Sequence, residues 1–219
     1  MDYIYLGEED EGSRLRLLNE FYFNIYRYAF TDPDTSEDPM IWTKLFDEDS
    51  IEIILAHDGE KVVGGIVFEW FLEAQVVLVT YLAVHPDHLR QGIGRLLTEE
   101  MKAAIITDGW LVLAEAEDPV CAKDVDAAQL RLKTIDSYGW RKIPMEYVQP
   151  PLRKNGEPGK GLMLVAHGET TVSSTQIASF LNEFYESLNQ MDRSELVEMR
   201  LQLATKVVLQ THGFTEDSM

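Results

Sequence analysis

The sequence predicts a mixed α/β fold: a sheet with helices on both faces, followed by a C-terminal helical pair. Three observations carry this. Strand-like and helix-like patterns follow the order strand, helices, antiparallel strands, helix, strand, helix, two strands, then two helices. The segment Gln75–Val84 reads as a strand with no polar face, so it belongs in the middle of the sheet, covered on both sides. The chain is 45% hydrophobic and 26% charged, ordinary globular usage that excludes disorder and low complexity as its main character. Its 219 residues suit one large domain or a domain with an appendage, with expected bounds 1–168 and 169–219.

The elements follow in order. Asp2–Leu6 reads as a short strand. Leu15, Leu18, Phe21, Tyr22, Ile25 and Tyr28 recur at helical spacing, with Ser13 at the N-cap. Thr31–Asp38 is an acidic loop in which Pro33, with Pro39 just after it, stops any helix. A short helix covers Trp42–Phe46. Ile51–Ala56 and Lys61–Trp70 flank Asp58-Gly59, a two-residue hairpin signal, because glycine accepts the positive φ such a turn needs. After Gly92, the residues Ile93, Leu96, Leu97, Met101, Ala104 and Ile105 form one helical stripe. Trp110–Ala116 is an apolar strand. Asp126–Tyr138 is a helix with Gly139 just past its end. Trp140–Val148 and Gly161–Ala166 are strands around a Pro/Gly/Lys-rich loop. Ser173–Gln176 fits a capping box before the stripe Ile177, Phe180, Leu181, Phe184, Tyr185 and Leu188, and a second helix runs from Asp192 to about His212.

Nineteen basic against thirty-eight acidic residues give a net charge of −19, which repels phosphate backbones and anionic lipid. The expected partners therefore exclude nucleic acid and membrane. The excess acid serves solubility first and attraction of a cationic substrate second. The single cysteine, Cys121, excludes an internal disulfide and reads as a small buried hydrophobe. Met1–Glu8 has no basic, then apolar, leader pattern, and a cytoplasmic location is expected. No His/Cys/Asp/Glu set has metal-ligand spacing, so no metal is expected.

The chemically informative stretch is Leu82–Leu97. A buried strand ends at Pro86, and Gly92 and Gly94 then open an amphipathic helix. Glycine lets a ligand approach the backbone. A helix start offers unbonded N–H groups and the positive end of the dipole, which suit a pyrophosphate. Arg90 and Arg95 add local positive charge. The ordinary reading, glycines serving a tight turn, is weaker given this context. A dinucleotide-binding turn, with Glu115 as ribose ligand, is an alternative. Leu97 stands where its third glycine belongs, and an antiparallel hairpin precedes the strand.

The segment Leu89-Arg90-Gln91-Gly92-Ile93-Gly94, after Leu82-Ala83-Val84-His85-Pro86, resembles motif A of the GNAT acetyltransferase superfamily, Q/R-x-x-G-x-G/A. The order of elements over about 2–166 is also similar to that fold, which is mixed and mostly antiparallel. The resemblance implies acetyl-CoA as co-substrate, its pantetheine arm along Leu82, Ala83 and Val84, and its pyrophosphate on the amides of Leu89, Arg90, Gln91, Gly92, Ile93, Gly94 and Arg95. It also implies transfer of an acetyl group to a primary amine of a small molecule or peptide. Leu89 replaces the usual Gln or Arg. Ile135 occupies the position of the family's general-acid tyrosine, four residues before Gly139-Trp140. Glu115–Leu152, with its Tyr147-Val148-Gln149-Pro150-Pro151-Leu152 segment, looks like a bacterial GNAT subgroup.

Direct transfer needs a base for the amine proton. Glu69, within an apolar strand, and Glu115, near a strand end, are the candidates, set against ordinary edge charges. Tyr138 and Tyr147 are candidate acids or pocket walls, Tyr81 is core, and Arg131 pairs with Glu115. His85 and His88 are loop histidines. A non-catalytic acyl-CoA-binding module and an NAD(P)-binding enzyme are the alternative functions. The tail packs on its own chain or joins a homodimer.

Overall fold

The computed structural model describes residues 1–31, 39–105, 109–152, 156–168, 171–204 and 208–210. Most of the acidic loop Thr31–Asp38 lies outside the described residues. The chain divides into two compact units, each with its own apolar core.

The first unit comprises Met1–Trp70 and Val79–Asp108. Strand β1 (Asp2–Tyr5) pairs antiparallel with β2 (Ile51–His57), which pairs antiparallel with β3 (Val62–Phe71). The hairpin loop is the four residues 58–61, longer than the two-residue turn expected. The Asp58 carboxylate accepts the N–H groups of Glu60 and Lys61, and Asp58 N–H bonds the Lys61 carbonyl. A 3₁₀ turn, Leu6–Glu8, leads into α1 (Glu11–Phe21). Asp10, not Ser13, caps this helix by accepting the Gly12 and Ser13 amides. One π turn, Tyr22–Tyr26, then joins α1 to α2 (Arg27–Ala29). Its wider turn shifts the apolar stripe. Leu18, Phe21 and Ile25 are buried as expected, but at the π turn Tyr26 replaces Tyr28, which is exposed; upstream of it, Leu17 is buried in place of the exposed Leu15. Helix α3 (Pro39–Asp47) supplies Trp42, fully buried, its ring edge-on to Tyr26 at 4.8 Å. Tyr81 meets Tyr26 at 4.8 Å in the same cluster, the core role expected of it.

Glu52 on β2 is largely buried, and burial raises its carboxyl above the usual range although it accepts the Gly7 and Ile53 amides. A carboxyl with a raised folded value favours folding below its unfolded value, and this contribution disappears as pH rises through the folded value. Glu52→Gln should therefore raise Tm at pH 7, with the gain shrinking as pH falls through the raised folded value toward the ordinary 4.5 and absent below it. A gain that grows toward acid would contradict this.

The second unit comprises Phe71–Leu78 and Gly109–Met219. Strand β4 (Val76–Val84) contributes its first residues here. β5 (Leu111–Glu117), α5 (Val125–Ser137), β6 (Trp140–Lys142) and β7 (Leu162–His167) follow, with β7 antiparallel to both β5 and β6. The seven-stranded sheet has the order β1-β2-β3-β4-β5-β7-β6, mixed α/β and mostly antiparallel in its pairings. Gly139, at φ +95, ends α5 as expected. The expected strand Trp140–Val148 stops at Lys142, because Pro144 brings no N–H to a ladder. Two further short strands, β8 (Thr171–Ser173) and β9 (Val208–Gln210), pair antiparallel around α6 (Ser174–Ser187) and α7 (Ser194–Ala204). The last helix therefore ends before β9, where a helix to His212 was expected. No capping box forms at α6. Ser173 makes no side-chain cap bond, and the Gln176 amide instead donates to the carbonyls of Ala74, Gln75 and Gly109. Ile177, Phe180, Leu181 and Phe184 of α6, with Leu196, Met199 and Leu203 of α7, share one core with Val76, Leu78, Leu111, Leu113 and Leu164. The tail thus buries its stripe against strands of its own unit.

Candidate functional site

The first unit builds the glycine turn. β4 ends at Val84, and the His85 amide bonds the Val63 carbonyl at 2.9 Å. His85 Nδ1 accepts the Asp87 amide at 3.2 Å, so this histidine caps the 3₁₀ turn Pro86–His88 rather than standing free in solvent. Arg90 has φ +61 and Gly92 φ +82; the chain turns through two left-handed residues into α4 (Ile93–Ala104). Gly92 has no side chain to cap α4, so its first-turn amides receive no side-chain cap there. A Cβ at Gly92 would meet nothing within 4 Å, so the positive φ, not crowding, demands glycine.

Packing holds this helix start. A Cβ at Gly64 of β3 would come within 3.1 Å of the Ala83 carbonyl and of Ile93 Cγ2, and 3.3 Å of Leu97. Gly64 therefore lets the first turns of α4 lie close on β3 and β4. Gly64→Val should cost about 1–3 kcal/mol by overpacking and displace the α4 start; an unchanged Tm would oppose this.

Of the residues expected to hold the co-substrate, Leu82 and Val84 are half-buried and Ala83 buried on β4. Ile93 and Gly94 are buried in α4. Leu89, Arg90, Gln91 and Arg95 are exposed. Gln91 Nε2 donates to the Asp87 carbonyl at 3.3 Å, and Arg95 lies 3.8 Å from Glu99. The turn thus joins two arginines, a pair of left-handed residues and a helix start, a combination suited to a diphosphate. Glu69 is half-buried on β3, opposite Ile51 of β2.

The second unit builds a different cluster. Glu115 sits on β5 opposite Leu164 of β7. The Tyr147 hydroxyl donates a short hydrogen bond to Glu115 Oε1, and Gln149 Nε2 donates to Oε2 at 2.6 Å. Gln149 is buried, and its backbone bonds Gly159 in both directions at 3.0 Å. Burial, reinforced by the adjacent Glu115 carboxylate, pushes the Tyr147 phenol well above its ordinary value. Tyr147 is therefore a persistent donor and a poor acid for a thiolate. Arg131 pairs with Glu117, not Glu115. Tyr138 ends α5 half-buried, its carbonyl bonded to His167 Nε2 at 2.8 Å, one turn beyond the half-buried Ile135. Cys121 is exposed, correcting its expected burial, because it follows β5 in the loop where its amide bonds the Asp118 carbonyl. The contacts of Tyr147 and Gln149 with Glu115 were not foreseen: they lie 32 and 34 residues away in sequence, beyond any periodicity. Among the described residues no group of three or more His, Cys, Asp or Glu could hold a metal ion, and no helix is long and apolar enough to cross a membrane.

Residues 49–130 match the family described as acetyltransferase (GNAT) domain. A protein described as a GNAT-family acetyltransferase of Bacteroides thetaiotaomicron superposes with a TM-score of 0.65 at 15% identity, covering 88% of this chain and 100% of that one. The fold is that of the GNAT acetyltransferases. GCN5 of Tetrahymena superposes with a TM-score of 0.52 at 19% identity, over 76% of this chain and 96% of that one. An aminoglycoside 6′-N-acetyltransferase in complex with coenzyme A gives 0.52 at 12% identity, over the same shares. Among curated proteins none matches the sequence significantly. The GNAT match spans the glycine turn and Glu115, so the sequence resemblance holds over the segment that carried it.

Proposed function

We propose that this chain is an acetyl-CoA-dependent N-acetyltransferase acting in the cytoplasm on a primary amine of a small molecule or peptide. The observation that carries the reading is the β4–α4 turn: Gly92 in the left-handed region before an uncapped helix start, flanked by Arg90 and Arg95, in a chain with the GNAT fold. The residues fit the co-substrate. Amides of 89–95 and the two guanidiniums suit its diphosphate, and Leu82–Val84 suit its amide-bearing arm. Acetyl-CoA supplies the thioester carbon that the amine attacks; a C–N bond forms and the C–S bond breaks. A carboxylate takes the amine proton through water, with Glu69 and Glu115 as the candidates. The departing thiolate takes a proton from Tyr138 or from solvent, since a thiol is acidic enough to leave unassisted. The Tyr147–Leu152 segment supports grouping the chain with a bacterial GNAT subgroup.

Titration calorimetry and thermal shift with acetyl-CoA test the reading. At about 100-fold excess over Kd, binding should add about 2.7 kcal/mol of stability, and NAD should add none. A flat response to acetyl-CoA would overturn it. The mostly antiparallel sheet already disfavours a dinucleotide fold. Ile135, at the acid's position, favours a second reading, a non-catalytic acyl-CoA-binding module. Binding without thiol release across an amine panel would select it.

A further inference from the structure

We infer that Tyr147 and Gln149 are positioning residues that clamp the Glu115 carboxylate in one orientation and hold it as an anion; the catalytic consequence rests on the proposed acetyltransferase reading. Each carboxylate oxygen receives its own donor, the phenol on Oε1 and the amide on Oε2 at 2.6 Å. Two separate donors fix the plane of the carboxylate, as one could not, and both favour its charged form.

The donors are themselves held. Tyr147 is buried, and Tyr185 donates to the neighbouring Val148 carbonyl at 3.0 Å. The Tyr147 phenol keeps its proton at any physiological pH, because burial and the facing carboxylate both oppose its ionisation. The Gln149 backbone is bridged to Gly159, whose Cβ, if present, would fall 2.7 Å from Gln149 Oε1. The absent side chain leaves room for the amide oxygen beside Gly159, while the nitrogen end meets Glu115, because a carboxylate only accepts. The titratable groups near the cluster are these: Arg131 is engaged by Glu117, Lys142 lies 4.0 Å from Asp118, and Tyr185, whose phenol is pushed up by burial and by Glu195 against the opposing Arg193, also feels the Glu115 carboxylate and so stays protonated beside it. The two donors therefore do for Glu115 what an arginine does elsewhere, without adding a positive charge that would repel an ammonium substrate.

The test uses the full chain with ¹³C-labelled glutamate carboxyls, Glu115 being assigned by its loss in Glu115→Gln. Tyr147→Phe keeps the ring, and Gln149→Leu keeps the volume. In each, the Glu115 titration midpoint should rise by about half to one pH unit, since the anion has lost a donor. Thiol release with acetyl-CoA and spermidine as probe amine is read in parallel. The acid limb of its pH profile should move up with the midpoint, and KM for acetyl-CoA should stay unchanged. Midpoints unmoved in both folded variants overturn the clamp. If the midpoints move while Glu115→Gln leaves thiol release intact, the clamp stands and the assignment of Glu115 as base fails. If one variant does not fold, the other decides alone.

Discussion

Gly92→Val should weaken acetyl-CoA binding roughly 5- to 30-fold, while Gly92→Asn should bind nearly as well as the native chain. Gly92 holds φ +82 with open space around its Cβ position, so a side chain there meets conformational strain and no clash. A left-handed conformation costs a non-glycine residue such as valine about 1–2 kcal/mol; Asn tolerates it. Valine escapes the strain by re-turning the chain, which re-aims the α4 amides. That energy converts to the stated loss at about 1.4 kcal/mol per tenfold. Calorimetric Kd values for the two variants decide the matter. Equal weakening by Val and Asn would mean that a side chain blocks the ligand, and the backbone account would fall.

Trp42→Ala should lower stability by about 3–5 kcal/mol. Trp42 is fully buried and its ring contacts Phe21, Tyr22, Tyr26 and Tyr81. Four aromatic neighbours cannot collapse into the space of an indole, so a cavity remains. For a chain of this length the loss corresponds to a drop in Tm of roughly 6–20 °C. Trp42→Phe, which keeps a ring, should lose less than half as much. A change below about 3 °C for the alanine variant would show that α3 contributes little to this core.

The legible parts of the fold were those written in local periodicity. The α4 stripe, the apolar β4 and the α6 stripe depend on spacing alone, and they formed where expected. The N-terminal helix was readable in kind but not in phase. A single π turn at Tyr22–Tyr26 buries Tyr26 and exposes Tyr28, and no residue pattern announces such a turn. The strand expected through Val148 failed at Pro144, whose missing donor the alternation outweighed. The glycine turn was legible because Gly92 and its flanking arginines are contiguous. The Glu115 cluster was not, because its donors arrive on an irregular segment from the far side of α5. Glu115 itself could be singled out; what grips it depends on tertiary folding.

The exposed Cys121 has a practical consequence. Colorimetric reagents that count liberated sulfhydryls will register one equivalent per chain before any turnover, since this is the sole cysteine. Cys121→Ser should remove that background without touching Glu115 or the glycine turn. The same side chain offers a single attachment point for a fluorophore on the loop after β5, so motion there can be followed in the native sequence.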